Sequence, residues 1–407
     1  MVSGVVVVGA GQAACQAIAS LRQMRYEGTI TLIGEEKYLP YQRPPLSKGF
    51  LKGDVDPETL CLRPVEFYER TNCDVRLGLS AVAIDRNDQV VVLANGEMIQ
   101  YEALILAIGA RARAYPGLDK SVAASVHYLR SYDHGTILAD RIANATKVAV
   151  IGGGYVGMEV AATARELGLE PTIYESSSRI MQRSVGSLFS SWIQDIHTAH
   201  AVDVCLDAKI TSIERDSPTG SFSVSTKDGV ERGFDIVLIG IGAQANIELA
   251  AEAGVKCSRG IIVDAHCATS DPRIFAIGDC CEQDHPVYGP GFCLESVQNA
   301  IDQAKCAAAA IAGRPAPLPT VPWFWSDQYG HRIQVAGVTA DYDEQIVQEG
   351  QNESHPFKGR AVWYLKRGRV IAIETLDAPE AFMLGRSYIK SQRPVSVDAL
   401  FPQLNHT

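Results

Sequence analysis

The chain of 407 residues has no Cys-x-x-Cys and no Cys-x4-Cys, although it carries ten cysteines. A disulfide reductase needs such a pair, so dithiol exchange is not expected. The cysteines are scattered and read as reduced thiols and small core fillers. Cys280 and Cys281 are adjacent, a poor geometry for an ordinary bridge. No apolar run reaches the ~18 residues of a membrane helix. No basic stretch precedes the short apolar run at the N-terminus, so an export signal is not expected and a cytoplasmic location is. Positive charge is not in excess. The 37 Lys and Arg stand against 47 Asp and Glu, a net charge of −10. That balance argues against a general nucleic-acid binder, while a local basic patch for an acidic partner is still allowed. What is present is ordinary for a globular chain, with 46% hydrophobic and 21% charged residues. The length predicts two or three domains and a substantial core.

The organising stretch is Val5-Val-Val-Val-Gly9-Ala-Gly11-Gln-Ala-Ala14. Its four β-branched residues predict a buried parallel strand, and its glycines a turn too tight for a Cβ. The helix expected over Ala13 to Gln23 then points its amide-rich start at whatever lies over the turn, which is how a pyrophosphate is held. Gly9 serves the turn, Gly11 admits phosphate oxygens, and Ala14 takes the place of a third glycine where helix meets strand. Thr29-Ile-Thr-Leu-Ile-Gly34 reads as the next parallel strand. Glu35 at its end is placed to accept bonds from a ribose.

Tyr41-Gln-Arg-Pro-Pro-Leu-Ser-Lys48 follows, a loop stiffened by two prolines, with Lys48 expected to open or cap a short helix. Strand-like segments run from Val75 to Val92, before an Asn95-Gly96 turn, and Leu104-Ile-Leu-Ala-Ile-Gly109 is another buried strand.

At Lys147 the pattern restarts as Val148-Ala-Val-Ile-Gly152-Gly-Gly154-Tyr155-Val156-Gly157, a complete Gly-x-Gly-x-x-Gly between strand and helix. Pro171-Thr-Ile-Tyr is the following strand and Glu175 ends it. Two cradles, each with an acidic residue after its next strand, are far more specific than one. They predict a protein for two dinucleotides. Phe234-Asp-Ile-Val-Leu-Ile-Gly240-Ile-Gly242 reads as a buried strand at which the chain returns to its first domain. Ile-Gly278-Asp279 ends a short strand with a carboxylate able to bind sugar or ribityl hydroxyls. Glu295 to Ala312 reads as a helix, Arg314 to Pro322 as a linker, and the rest as a small antiparallel sheet with a helix near Glu380 to Lys390. Trp325, in polar surroundings, is a candidate to wall a cofactor.

Arg43-Pro-Pro-Leu-Ser-Lys48, Gly152-Gly-Gly-Tyr-Val-Gly-Met-Glu159-Val-Ala-Ala-Thr-Ala164, Glu295-Ser-Val-Gln-Asn-Ala300 and Pro322-Trp-Phe-Trp-Ser-Asp-Gln328 carry a resemblance across essentially the whole chain. It resembles the FAD-dependent, NADH-using ferredoxin reductases of bacterial cytochrome P450 and ring-hydroxylating oxygenase systems, within the glutathione-reductase-like flavoproteins. The resemblance implies an α/β fold, with two Rossmann-like dinucleotide-binding domains and a C-terminal α+β domain. The divisions it implies are FAD-binding residues 1–110 and 236–318, NADH-binding residues 111–235, and a C-terminal domain at 319–407.

For FAD the resemblance implies Gly9, Gly11, Ala13, Ala14, Glu35, Lys48, Val82, Arg130, Gly278, Asp279, Glu295, Val297 and Trp325. For NADH it implies Gly152, Gly154, Tyr155, Val156, Gly157, Glu159, Glu175, Arg183 and Gly242. Relatives often carry Asp where Glu35 stands, and the tail after Asp398 is short, which is expected to trim a partner or dimer contact.

A flavin can take two electrons together from NADH and release them singly, so no residue is required as acid or base. Lys48 and Glu159 are expected to pair, with Lys48 facing charge that develops on the reduced cofactor. Glu175 is expected to favour NADH by repelling a 2′-phosphate, a preference that nearby Arg179 and Arg183 would soften. Electrons are expected to leave to an acidic [2Fe-2S] ferredoxin, with Arg63 and Lys305 as docking candidates. Competing readings are a rubredoxin reductase and a non-catalytic sensor that binds FAD and NADH.

Overall fold

In the computed structural model, residues 4–216, 220–285, 289–318, 320–350, 359–396 and 400 are described. Of the tail after Asp398, only Leu400 is among the described residues. The chain divides into two compact units. The first comprises Met1–Gln42, Pro57–Arg111 and Ala243–Pro322, and the second Arg43–Asp56, Ala112–Gly242 and Trp323–Thr407.

The first unit is built on a seven-stranded sheet. Gly4–Val8 lies between Ile30–Gly34 and Met98–Leu106, parallel to both, with Val5 opposite Ile30 and Ala103. Its five residues are all buried, as an unbroken β-branched run demands of a strand covered on both faces. Cys73–Leu77 extends the sheet beyond Ile30–Gly34. The long Met98–Leu106 strand pairs antiparallel with Val90–Leu93 through its first half and parallel with Ile274–Ala276 through its second. The Gln12–Gln23 helix packs its small residues Ala13, Ala14 and Ala17 with Ala300, Ala304 and Ala307 of the Val297–Ile311 helix into one core cluster. Small side chains on both helices let the backbones approach closely.

The second unit has a four-stranded parallel sheet in the order Asp203–Cys205, Glu170–Tyr174, Lys147–Ile151, Ile236–Ile239. A three-stranded antiparallel sheet and a five-stranded one complete it. The latter runs in the order Trp323–Gln328, His331–Gly337, Arg369–Leu376, Arg360–Lys366, Glu344–Glu349, and Pro379–Ser391 is its helix. One hydrophobic cluster joins Val148, Met158, Ile173 and Phe189 of the nucleotide-type fold to Ile333, Val362 and Tyr364 of the C-terminal sheet.

Two boundaries differ from the sequence reading. Ile236–Ile239 stays in the second unit, because it pairs in parallel with Lys147–Ile151 from Ile236–Val148 to Ile239–Ile151. The return to the first unit therefore comes at Ala243, not at 236. The loop Arg43–Asp56 also groups with the second unit. Leu51 sits in that unit's core, and Thr163 Oγ1 donates to the carbonyl of Ser47 at 2.8 Å.

Candidate functional site

Each unit holds one glycine turn feeding a twelve-residue helix. In the first, Gly9 has φ +104°, and a Cβ there would run into the carbonyl of Ala107. In the second, Gly152 has φ +108°, and a Cβ would come within 2.5 Å of the carbonyl of Gly240. Both positions need glycine for a left-handed backbone and for the close approach of the next strand. The N-caps, Gly11 and Gly154, face open space, with no atom within 4 Å of a built Cβ. Neither helix has a side-chain cap or an acidic residue in its first turn. Their orphan N–H groups and positive dipole ends are thus bare, which suits an anionic phosphate. A Cβ at Gly157 would strike the carbonyl of Gly152, so the second cradle needs the third glycine that Ala14 replaces in the first.

Around the first cradle, the exit of Ile274–Ala276 brings Gly278 against the helix, where a Cβ would stand 3.3 Å from Ala13 and 3.8 Å from Ala300. Asp279 follows half-buried, and Val297 opens the Val297–Ile311 helix, which Ser296 caps through the N–H of Asn299 at 3.1 Å. Glu35 is exposed directly after Gly34, Val82 is 49% exposed on its strand, and Glu295 is exposed one residue before the cap. The structure thus brings Gly9, Gly11, Ala13, Ala14, Gly278, Asp279 and Val297 together in one unit. Lys48, Arg130 and Trp325, which the resemblance assigns to the same cofactor, belong to the other unit. Gln303 was missed. Its buried side-chain carbonyl accepts from Gly278 N at 2.7 Å and from Asn299 Nδ2 at 3.2 Å. The signal was its place one helical turn after Asn299.

Around the second cradle, Glu175 accepts from the N–H of Gly153 at 2.7 Å and from that of Ser177 at 2.8 Å. A carboxylate has about four acceptor sites, so capacity for a ribose hydroxyl remains. Val156 is 41% exposed in the first helical turn. The ring of Tyr155 packs edge-on to Phe324 at 4.6 Å. Arg183 is exposed, with a guanidinium nitrogen 3.2 Å from where a Cβ of Gly242 would stand. Arg179 does not join it as a free nucleotide contact. Its guanidinium donates to the carbonyls of Val185 at 2.7 Å and Gln182 at 2.9 Å, closing its own loop.

Lys48 caps the end of one short helix, Pro44–Ser47, and the start of the next, Gly49–Lys52. Its ammonium lies 2.7 Å from Oε2 of Glu159, whose side chain is 7% exposed. The same oxygen accepts from Ser47 Oγ at 2.5 Å, and Oε1 accepts from Ser326 Oγ at 2.6 Å. A buried carboxylate requires such compensation. Glu159 occupies the second turn of the Tyr155–Glu166 helix, so the second cradle and the Lys48 loop share one anchor. Ser47 and Ser326 were not singled out from sequence, although each lies inside a motif that was. All ten cysteines are free, with the sulfurs of Cys280 and Cys281 3.9 Å apart. Arg63 is exposed, its guanidinium 5.6 Å from the Phe67 ring, and Lys305 is 42% exposed, 4.0 Å from Asp302.

Comparison with known proteins agrees with this architecture. The sequence model of the family described as pyridine nucleotide-disulphide oxidoreductase matches residues 3–310, and that described as reductase C-terminal matches 323–404. Rhodocoxin reductase of Rhodococcus erythropolis is 38% identical over 392 residues, covering 96% of this chain and 90% of the relative. A rubredoxin-NAD(+) reductase of Pseudomonas putida is 37% identical over 377 residues, covering 92% of this chain and 96% of the relative. The reductase in a crystal structure of the covalent putidaredoxin reductase–putidaredoxin complex superposes with a TM-score of 0.93 at 32% identity, covering 98% of this chain and 96% of that one.

Proposed function

Because the chain belongs to the pyridine nucleotide-disulphide oxidoreductase family and carries its reductase C-terminal domain, we propose that it is an NADH-dependent, FAD-containing ferredoxin reductase. Its partner is a [2Fe-2S] ferredoxin that supplies a cytochrome P450 or a ring-hydroxylating oxygenase, as the resemblance implies. Names among its relatives, which mention ferredoxin, a CYP system and a dioxygenase, support that reading. One observation carries the reading. Two bare helix starts, each behind a glycine turn closed to any Cβ, occur once in each unit. FAD supplies the redox chemistry when bound, accepting hydride from NADH and releasing electrons singly.

The chain's own residues do the rest. The N–H groups after Gly11 hold the FAD pyrophosphate, Glu35 takes its ribose, and Asp279 takes ribityl hydroxyls. The N–H groups after Gly154 hold NADH, with Glu175 on the adenosine ribose. Lys48, whose ammonium lies 2.7 Å from Glu159, would be the cation that offsets negative charge developing on the reduced cofactor. No side chain is needed as acid or base. The FAD-binding part then comprises the first unit, and the NADH-binding and C-terminal parts fall in the second. Ten free thiols suit a cytoplasmic protein. Among the described residues no helix is long and apolar enough to cross a membrane.

A rubredoxin reductase is the second reading, favoured by the Pseudomonas putida relative. Purified protein is expected to be yellow, to bleach with NADH, and to reduce cytochrome c rapidly only when ferredoxin is added. Dependence on rubredoxin instead would select the second reading. Bleaching without turnover on either carrier would make it a sensor. A colourless protein that takes up no FAD would overturn all three.

A further inference from the structure

The Glu159 carboxylate ends a buried chain of hydrogen bonds that the proposed reaction leaves unexplained. Its Oε1 accepts from Ser326 Oγ at 2.6 Å, Ser326 Oγ accepts from Gln328 Nε2 at 3.0 Å, and Gln328 Oε1 lies 2.7 Å from His197 Nε2. The four residues are 6%, 0%, 3% and 0% exposed in that order. Strand alternation puts Ser326 and Gln328 on one face of Trp323–Gln328, and His197 reaches Gln328 from the Ser187–Ala199 helix.

The direction of every bond follows from donor chemistry. An ionised carboxylate only accepts, so the single hydroxyl proton of Ser326 goes to Glu159 and its oxygen accepts from the Gln328 amide. The Gln328 carbonyl then needs a donor, which places the His197 proton on Nε2. Nδ1 of His197 is buried with no hydrogen-bond partner, as an unprotonated nitrogen can be. Burial pushes this imidazole down to about 4, against the raising effect of the Gln328 bond, while His200 lowers it further. The ring also stands edge-on to Tyr329 at 5.1 Å.

The terminal torsion of a glutamate is broad and roughly two-fold, so a carboxylate is oriented only when both oxygens are held. Ser326 holds one here, and Lys48 with Ser47 holds the other. We propose that His197, Gln328 and Ser326 are positioning residues, a chain of fixed polarity that orients Glu159 and through it the Lys48 ammonium. The effect on catalysis rests on Lys48 acting on the flavin as proposed above. The polarity of the chain does not.

Two measurements test the proposal. In ¹⁵N-histidine NMR of the whole protein at neutral pH, His197 reads as the neutral Nε2–H tautomer. An Nδ1–H tautomer or an imidazolium overturns the chain whether or not flavin binds. In the holoenzyme, Ser326→Ala and Gln328→Met slow flavin reduction by NADH about fivefold with the NADH Kd unchanged. Both also shift the flavin midpoint potential to more negative values, whereas Ser326→Thr, which keeps the hydroxyl, returns rate and potential to within about twofold of wild type. A lowered Tm with rate and potential unmoved means support of the fold alone and overturns the positioning role. Should Lys48→Met also leave rate and potential unmoved, the assignment of Lys48 fails, and the tautomer alone decides the chain.

Discussion

Glu374 accepts the hydroxyl proton of Tyr364 at 2.6 Å on one carboxyl oxygen, and the N–H of Gly186 at 2.8 Å on the other. The two side chains are diagonal neighbours on adjacent antiparallel strands, where Val362 pairs with Glu374 and Tyr364 with Ala372. Gly186 is the N-cap of the Ser187–Ala199 helix, and Glu374 accepts from its backbone N–H as the carboxylate of a capping box does, here from a distant strand. A Cβ at residue 186 would strike the Tyr364 hydroxyl. One carboxyl group thereby ties the C-terminal sheet to a helix of the nucleotide-type fold within the second unit.

That carboxyl makes stability depend on pH. Burial raises it from the usual 4.5 to about 7, against the lowering effects of Tyr364, Gly186 and Arg179. The folded chain keeps a proton that the unfolded chain has lost, so stability is highest below about 4.5 and falls as pH rises through 7. The gap between the two values corresponds to about 3 kcal/mol. Glu374→Gln preserves the shape and cannot ionise. Its urea midpoint is expected to stay level between about pH 5 and pH 8 while that of the wild type declines. Parallel profiles would assign the titration to another group.

The Lys48–Glu159 pair separates stability from chemistry. Lys48→Met leaves Glu159 buried without its cation. The expected loss is about 2 kcal/mol, less than for a fully buried pair because Lys48 is 19% exposed. Hydride transfer in stopped flow should slow by more than about tenfold, roughly 1.4 kcal/mol on the barrier. Adding Glu159→Gln to Lys48→Met is expected to recover stability but not the rate. A double variant that regains both would show that Lys48 served the fold alone.

The cradles and their flanking strands were legible in the sequence because their signals are local, a β-branched run, a glycine turn and a small-residue helix. The Ile236–Ile239 strand was equally legible, but its sheet was not. A short apolar run reads the same whichever neighbour it pairs with, and pairing with Lys147–Ile151 keeps it in the second unit. The Arg-Pro-Pro-Leu-Ser-Lys loop follows the first cradle in sequence. Contacts more than a hundred residues away, to Glu159 and Thr163, decide where it belongs. Ser326 and Gln328 stayed hidden for a related reason. In an alternating strand, polar residues read as the solvent face, yet here that face is buried and its polar atoms are satisfied by Glu159 and His197.

On the proposed assignment, Glu175 is expected to set a preference between nicotinamide nucleotides. Its carboxylate is held beside the cradle by Gly153 and Ser177, so a 2′-phosphate would meet a fixed negative charge. Arg179 is engaged with loop carbonyls, which leaves Arg183 as the nearby cation to oppose that repulsion. The kcat/KM for NADH is expected to exceed that for NADPH by about a hundredfold, and Glu175→Ser to narrow the ratio by about tenfold through loss of NADH rather than gain of NADPH. A wild type that prefers NADPH would refute the role given to Glu175.

Docking of an acidic carrier on a chain of net charge −10 requires positive charge to be local. Arg63 is exposed, with its guanidinium set by Phe67. Lys305 is 42% exposed and pairs with Asp302 at 4.0 Å, one turn along the same helix. Both belong to the first unit. Exposed charges are screened over about 10 Å at 0.1 M salt, so the rate of ferredoxin reduction should fall about tenfold as salt rises from about 0.02 to 0.5 M. Reduction of a small neutral quinone should hold steady, because nothing steers an uncharged acceptor. Arg63→Glu and Lys305→Glu together are expected to lower ferredoxin kcat/KM at low salt and to flatten its salt slope. The same steep slope in that double variant would move the docking face elsewhere on the surface.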